Sequence, residues 1–172
     1  MIKMMFIRPP FKGMGRYIPP HLGIATLYSY LHGKFDWIEF SFVDALADDL
    51  DEEQIVKTIL CSRPDILAIT IKTMQAKQAI EIIERVKEVY NPLVICGGNH
   101  VSVSPQEFVR CGADYAVVGE GEEAIEKIIL HEFCHSEESL DDCVNICTKN
   151  NVERRSFKPK VCIHGSEIPA PD

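Results

Sequence analysis

At 172 residues the chain suits one domain with a small appendage, and its 46% hydrophobic and 26% charged residues are ordinary for a globular core. Its net charge of −8, from 18 Lys and Arg against 26 Asp and Glu, argues against nucleic-acid binding by this domain alone. Seven cysteines, an odd number with several inside apolar stretches, argue against a disulfide framework and fit a reduced, cytoplasmic protein.

Ile2–Arg8 reads as the first strand, closed by Pro9-Pro10. The run Met4–Ile7 is too short, and stopped too soon by Pro9, for a signal peptide, and no apolar run reaches membrane-spanning length. The loop Phe11–Pro20 carries Lys12, Arg16 and Tyr17 and is long for a strand-to-helix connection. Leu22, Ala25, Leu27, Tyr28 and Leu31 recur at helical spacing, predicting a helix over Leu22–His32 that stops at Gly33. Trp37–Val43 alternates Ile38, Phe40 and Phe42 with Glu39 and Ser41, a strand with one exposed face near a sheet edge. Asp51–Ser62 is a helix that buries Ile55, Val56, Ile59 and Leu60. Pro64-Asp65 then introduces Ile66–Ile71, a continuous apolar run suited to a sheet centre.

The helix Ala76–Tyr90 has the clearest stripe (Ala79, Ile80, Ile83, Val86) and is halted by Asn91-Pro92. Leu93–Cys96 is the fourth strand. Ser104, as N-cap before Pro105, opens a short helix that ends at Cys111-Gly112. Tyr115–Val118 is the fifth strand, followed by a helix from Glu122 to about Phe133. This alternation predicts a Rossmann-like (flavodoxin-like) doubly wound α/β domain over residues 1–135, with a five-stranded parallel sheet. Residues 136–172 read as a small C-terminal β-hairpin extension, Asp141–Lys149 and Val152–Phe157 around Asn150-Asn151, and then an extended linker.

Several chemistries lack their residues. Arg8-Pro9-Pro10-Phe11 stands where a dinucleotide fold would place GxGxxG, and Gly13-Met14-Gly15 is only a fragment of it. No P-loop, HExxH or GxSxG occurs. Cys143 and Cys147 have Asn150 where a third cluster thiolate would stand, and His131 with His135 is too small a set for zinc. No catalytic residue and no metal ligand is assigned to the chain. What remains is the set of strand exits, Gly97-Gly98 and Gly119-x-Gly121 above all. Glycine there lets a ligand approach the main chain, and the N–H groups at the Gly121-Glu122 helix start offer donors. Ligands of open α/β sheets bind beyond the carboxyl ends of the strands.

Arg8-Pro9-Pro10, Pro19-Pro20-His21-Leu22-Gly23, Pro64-Asp65-Ile66-Leu67-Ala68-Ile69-Thr70, Gly97-Gly98-Asn99-His100 and Ala113–Glu122 occur in that order. Together they resemble the N-terminal cobalamin-binding domain of cobalamin-dependent radical SAM enzymes. The likeness covers essentially the whole chain, including Ile168-Pro169-Ala170-Pro171-Asp172, where the family has a Pro-rich linker before its radical SAM barrel. It implies cobalamin at the C-terminal edge of the sheet. Thr70, Ile71, Lys72 and Thr73 after the third strand, Gly97, Gly98, His100 and Val101 after the fourth, and Gly119, Glu120, Gly121 and Glu122 after the fifth would line its lower face and tail slot. Gly13 and Gly15 would approach the corrin.

The chain departs from related patterns in two ways. The DxHxxG sequence that supplies a cobalt ligand in cobalamin-dependent mutases is absent; His21 reads as a surface residue at a helix start, and His100 as a hydrogen-bonding partner of the tail or a loop carbonyl. The CxxxCxxC cluster motif is also absent. An iron–sulfur cluster and S-adenosylmethionine would therefore belong to a radical SAM domain in cis, within a full enzyme of methyltransferase type. Two other readings stay open: a degenerate Rossmann-like interaction domain that no longer binds cobalamin, and a flavin- or nucleotide-binding flavodoxin-like module.

Overall fold

The computed structural model describes residues 1–11 and 20–159. Gly13 and Gly15, and the linker over 160–172, lie outside the described residues. Strands β1 (Ile2–Arg8), β2 (Ile38–Asp44), β3 (Ile66–Thr70), β4 (Leu93–Gly97), β5 (Tyr115–Val117) and β6 (Ile146–Thr148) form one sheet in the order β2-β1-β3-β4-β5-β6. The first five are parallel and β6 runs antiparallel to β5. The continuous apolar runs of β1, β3 and β4 lie inside the sheet, where both faces must be apolar. The alternating β2 sits at the edge, with Glu39, Ser41 and Phe42 exposed.

Helices α2 (Glu52–Ser62), α3 (Ala76–Val89) and α5 (Pro105–Arg110) cover one face of the sheet, packing with Met5, Ile7, Leu67, Ile69, Val94 and Cys96. Helices α1 (Leu22–His32) and α6 (Glu122–Cys134) cover the other, packing with Phe6, Ala68, Ile95 and Val117. The Tyr30 hydroxyl and the Lys34 ammonium both donate to Glu126 Oε2, at 2.5 and 2.7 Å, which ties α1 to α6. No helix among the described residues is long and apolar enough to cross a membrane.

Two local features differ from the sequence reading. A one-turn helix, α4 (Asn99–Val103), follows β4 directly and is too short to leave a periodic signal. Ser104 does precede the Pro105 helix, but its side chain makes no capping hydrogen bond.

The C-terminal antiparallel extension is present, with a different partner. Val152–Phe157, expected as the second hairpin strand, is turn and coil, and the tail's strand β6 pairs instead with β5, Ala116 opposite Cys147. The physical reason is burial: Ile146 and Cys147 are fully buried against the main sheet, a tertiary gain that turn residues do not reveal. Arg154 then donates to the carbonyl oxygens of Cys143 and Asp141, at 2.8 and 2.9 Å, holding the returning chain.

Candidate functional site

The exits of β1, β3, β4 and β5 are laced together by short hydrogen bonds. Gln75, 1% exposed, donates through Nε2 to the Pro9 carbonyl at 2.5 Å and accepts from the Lys72 N–H at 3.2 Å, joining the β1 and β3 exits. The Ile71 N–H donates to the Gly97 carbonyl at 2.8 Å, and the His100 N–H donates to the Ile71 carbonyl at 3.1 Å, joining β3 to β4. Ser102 completes the set: its hydroxyl donates to the Gly98 carbonyl at 3.1 Å and accepts from the Gly119 N–H at 3.0 Å.

The two glycines of the β4 exit do different jobs. Gly98 has φ +103°, and a Cβ there would stand 2.8 Å from both Ile71 N and Ile71 O. Its lack of a side chain is thus a demand of the fold. A Cβ on Gly97 would meet nothing within 4 Å, although Gly97 lines a cavity. Its bare position leaves room that the fold itself does not use.

That cavity has a volume of about 270 Å³ and lies between the sheet and the pair α1 and α6. Phe6, Ala68, Ile95 and Val117 contribute from the strands, Ile24 and Leu27 from α1, and Ile125 from α6. Ala68 is the small residue within Ile66–Ile69 and opens space over the sheet. Polar groups reach the same cavity from His21, Thr70, Lys72, Asn99, Glu120 and Glu122. No side chain caps the first turn of α6, which leaves its N–H groups to the mouth of the cavity. A wider depression, about 960 Å³, lies at the opposite end of the strands around Asp65, Leu93 and Asp114, away from every expected site residue.

Of the residues singled out from the sequence, Thr70, Lys72, Gly97, Gly98, Gly119, Glu120, Gly121 and Glu122 line the cavity together. Ile71 and Val101 are fully buried beside it. His100 bonds through Nδ1 to Thr73 Oγ1 at 3.2 Å and through Nε2 to Glu107 Oε2 at 3.1 Å, its ring edge on Phe108. Both ring nitrogens of His100 are therefore engaged with the protein, and Thr73 is held with them outside the cavity wall. Ser102 and His21 fall within the strand exits read from the sequence but were given no contact there, and Ala68, like the other apolar lining residues, was not assigned to the site. Only the small Ala68 in a bulky strand and the position of His21 just before a helix were signals for them.

His21 is the N-cap of α1. Its Nδ1 accepts the Ile24 N–H at 3.2 Å, so in the neutral ring Nε2 carries the hydrogen and donates to Thr70 Oγ1 at 3.3 Å. A ring used in this way has no free nitrogen lone pair for a metal. Burial, with the positive charges of Arg8 and Lys72 nearby, holds its pKa below the usual 6.5. Between that lowered value and 6.5 the unfolded chain binds more protons than the folded one, so stability is full above about pH 6.5 and falls on acidification through the window. His21→Asn keeps a capping oxygen without the titration. Urea midpoints taken from about pH 8 to pH 5 should fall less for the variant than for the wild type, and parallel slopes would contradict this assignment.

The family model described as B12 binding domain matches residues 15–129. An uncharacterized methyltransferase of Pyrococcus horikoshii is 30% identical over 99% of this chain, which spans 38% of that protein. An anaerobic magnesium-protoporphyrin IX monomethyl ester cyclase of Rubrivivax gelatinosus is 28% identical over 74% of this chain and 24% of its own length. The cobalamin-dependent S-adenosylmethionine radical enzyme OxsB with aqua-cobalamin bound superposes with a TM-score of 0.78, over 99% of this chain and 24% of that one. At 22% identity that likeness is one of fold.

Proposed function

The chain belongs to the B12-binding domain family, and from this premise we propose that it holds cobalamin at the C-terminal edge of its sheet for a radical SAM domain in cis, in an enzyme of methyltransferase type. The observation that carries the reading is the cavity between α1 and α6, floored by Ala68 and reached past the bare Gly97. At about 270 Å³ it falls just below the range of drug-sized ligand sites, about 300 to 1,000 Å³. It is too small for a corrin and suits the nucleotide tail, while the ring would lie across the glycine exits. Thr70, Lys72, Gly97, Gly119 and Gly121 would face the bound group. Among these, the bare backbone at Gly97, where a Cβ would meet nothing within 4 Å, lets a large rigid ring come close, whereas a Cβ at Gly121 would meet Leu27 at 3.1 Å. With both ring nitrogens of His21 engaged by Ile24 and Thr70, this residue would not serve as a ligand to a bound cobalamin. Cobalamin, when bound, supplies the cobalt chemistry; the chain's part is orientation and access.

The much greater length of the relatives supports a further domain in cis, which would carry the iron–sulfur cluster and S-adenosylmethionine. Cysteine usage supports a cytoplasmic setting: among the described residues Cys61, Cys96, Cys111, Cys134 and Cys147 are free thiols.

The test is retention of cofactor. Purified chain incubated with hydroxocobalamin and desalted should carry corrin absorbance, with the spectrum of a corrin whose tail base is off the cobalt. A folded chain that emerges without corrin bands would overturn the reading in favour of an interaction domain. Retention of a flavin instead would favour a flavodoxin-like module.

A further inference from the structure

One group in the cavity is not explained by the fold. Glu122, the first residue of α6, is 7% exposed, and its Oε2 is covered and without a hydrogen-bond partner. No ion pair reaches it among the described residues, although Lys72 lines the same cavity. A carboxylate at a helix start is favoured by the helix dipole, but that benefit does not require burial. Glu123, next along the first turn, is only half-buried. Glu122 instead stands among Leu27, Val117 and Ile125, where an unpartnered acceptor is costly to keep.

We propose that Glu122 is the group that recognises the inserted nucleotide tail, accepting a hydrogen bond from an O–H or N–H that the tail brings with it. The inference rests on the cobalamin reading and goes further, assigning the cavity a preference for tailed over tail-less corrinoids. Two parts of a tail offer such a donor: a ribose hydroxyl, common to all nucleotide tails, and the exocyclic N–H of an adenine base, which dimethylbenzimidazole lacks. The shared chemistry is a donor meeting a buried carboxylate, a charge-assisted hydrogen bond of the stronger kind.

The experiment compares the chain with Glu122→Met, which removes both oxygens at nearly constant length, and Glu122→Gln, which retains one acceptor oxygen. The probes are hydroxocobalamin, an adenine-tailed cobamide and the tail-less cobinamide. Glu122→Met should melt no lower than the wild type, since it removes an orphaned carboxylate. It should bind tailed cobamides about tenfold more weakly while leaving cobinamide unchanged, and Glu122→Gln should recover most of the loss. Equal losses for both tailed probes identify the ribose hydroxyl as donor, and a loss confined to the adenine-tailed probe identifies the base.

Unchanged binding of both tailed probes by Glu122→Met overturns the proposal. So does an equal loss on cobinamide, or a fall in melting temperature that points to a purely structural role. A wild-type chain that retains no hydroxocobalamin overturns the cobalamin reading and this proposal with it, an outcome distinct from the other three.

Discussion

Gly98→Ala is expected to destabilise the chain by about 3 kcal/mol or more, whereas Gly97→Ala should stay within about 0.5 kcal/mol of the wild type. The two residues are neighbours in one glycine pair, and their difference is geometric. At Gly98 the new methyl would meet two backbone atoms of Ile71 at 2.8 Å, in a φ of +103° that L-residues avoid. Neither atom belongs to a flexible side chain, and moving them breaks the Ile71–Gly97 and His100–Ile71 hydrogen bonds. At Gly97 the methyl enters open space within the cavity. Urea midpoints of the two variants check the contrast directly. A larger residue, Gly97→Val, extends it: stability should hold while hydroxocobalamin retention is lost. Equal destabilisation at both positions would show that the cavity is not a space kept for a ligand.

The second large effect is expected at the β1–β2 exit. Arg8, 1% exposed, donates to Asp44 Oδ2 at 3.0 Å, and Asp44 Oδ1 accepts the Leu46 and Ala47 N–H groups at 3.1 Å. Asp44→Ala takes away the carboxylate of a buried ion pair and two backbone acceptors at once. The loss should be about 3–5 kcal/mol, because a guanidinium stays buried without this counter-charge. The double variant Arg8→Met, Asp44→Ala should recover part of that loss, since the guanidinium that lost this counter-charge goes with it. Denaturation midpoints of the single and double variants decide the matter; a double variant less stable than Asp44→Ala would place the cost elsewhere.

Much of this architecture could be read from the chain because it rests on local pattern. The Ala79–Val86 stripe, the unbroken apolar run of Ile66–Ile69 and the alternation in Ile38–Phe42 each report burial within a single element. The same holds for the two glycine exits, where an apolar run stops at residues without side chains. What escaped depends on contacts between distant segments. Ser102 bridges Gly98 and Gly119 only because β4 and β5 lie side by side. His21 meets Thr70 across 49 residues of sequence, and nothing near it marks one ring nitrogen as an acceptor. The resemblance places Glu122 in the tail slot, but its neighbours alone make it look like one more acid in the first turn of a helix. Its burial in the cavity with Ile125, where Glu123 is only half-buried, is what the sequence did not reveal.

The short strand β6 has a consequence for how molecules of this protein treat one another. By pairing Ile146 with Val117 and Thr148 with Tyr115, it occupies the outer hydrogen-bonding row of β5. Three residues suffice because β5 is itself three residues long. Chains cut before β6 would present Tyr115–Val117 as a bare, apolar template to the next molecule. Strand β6 therefore acts as a guard against sheet-to-sheet joining, and its loss should first be felt as clumping at high concentration.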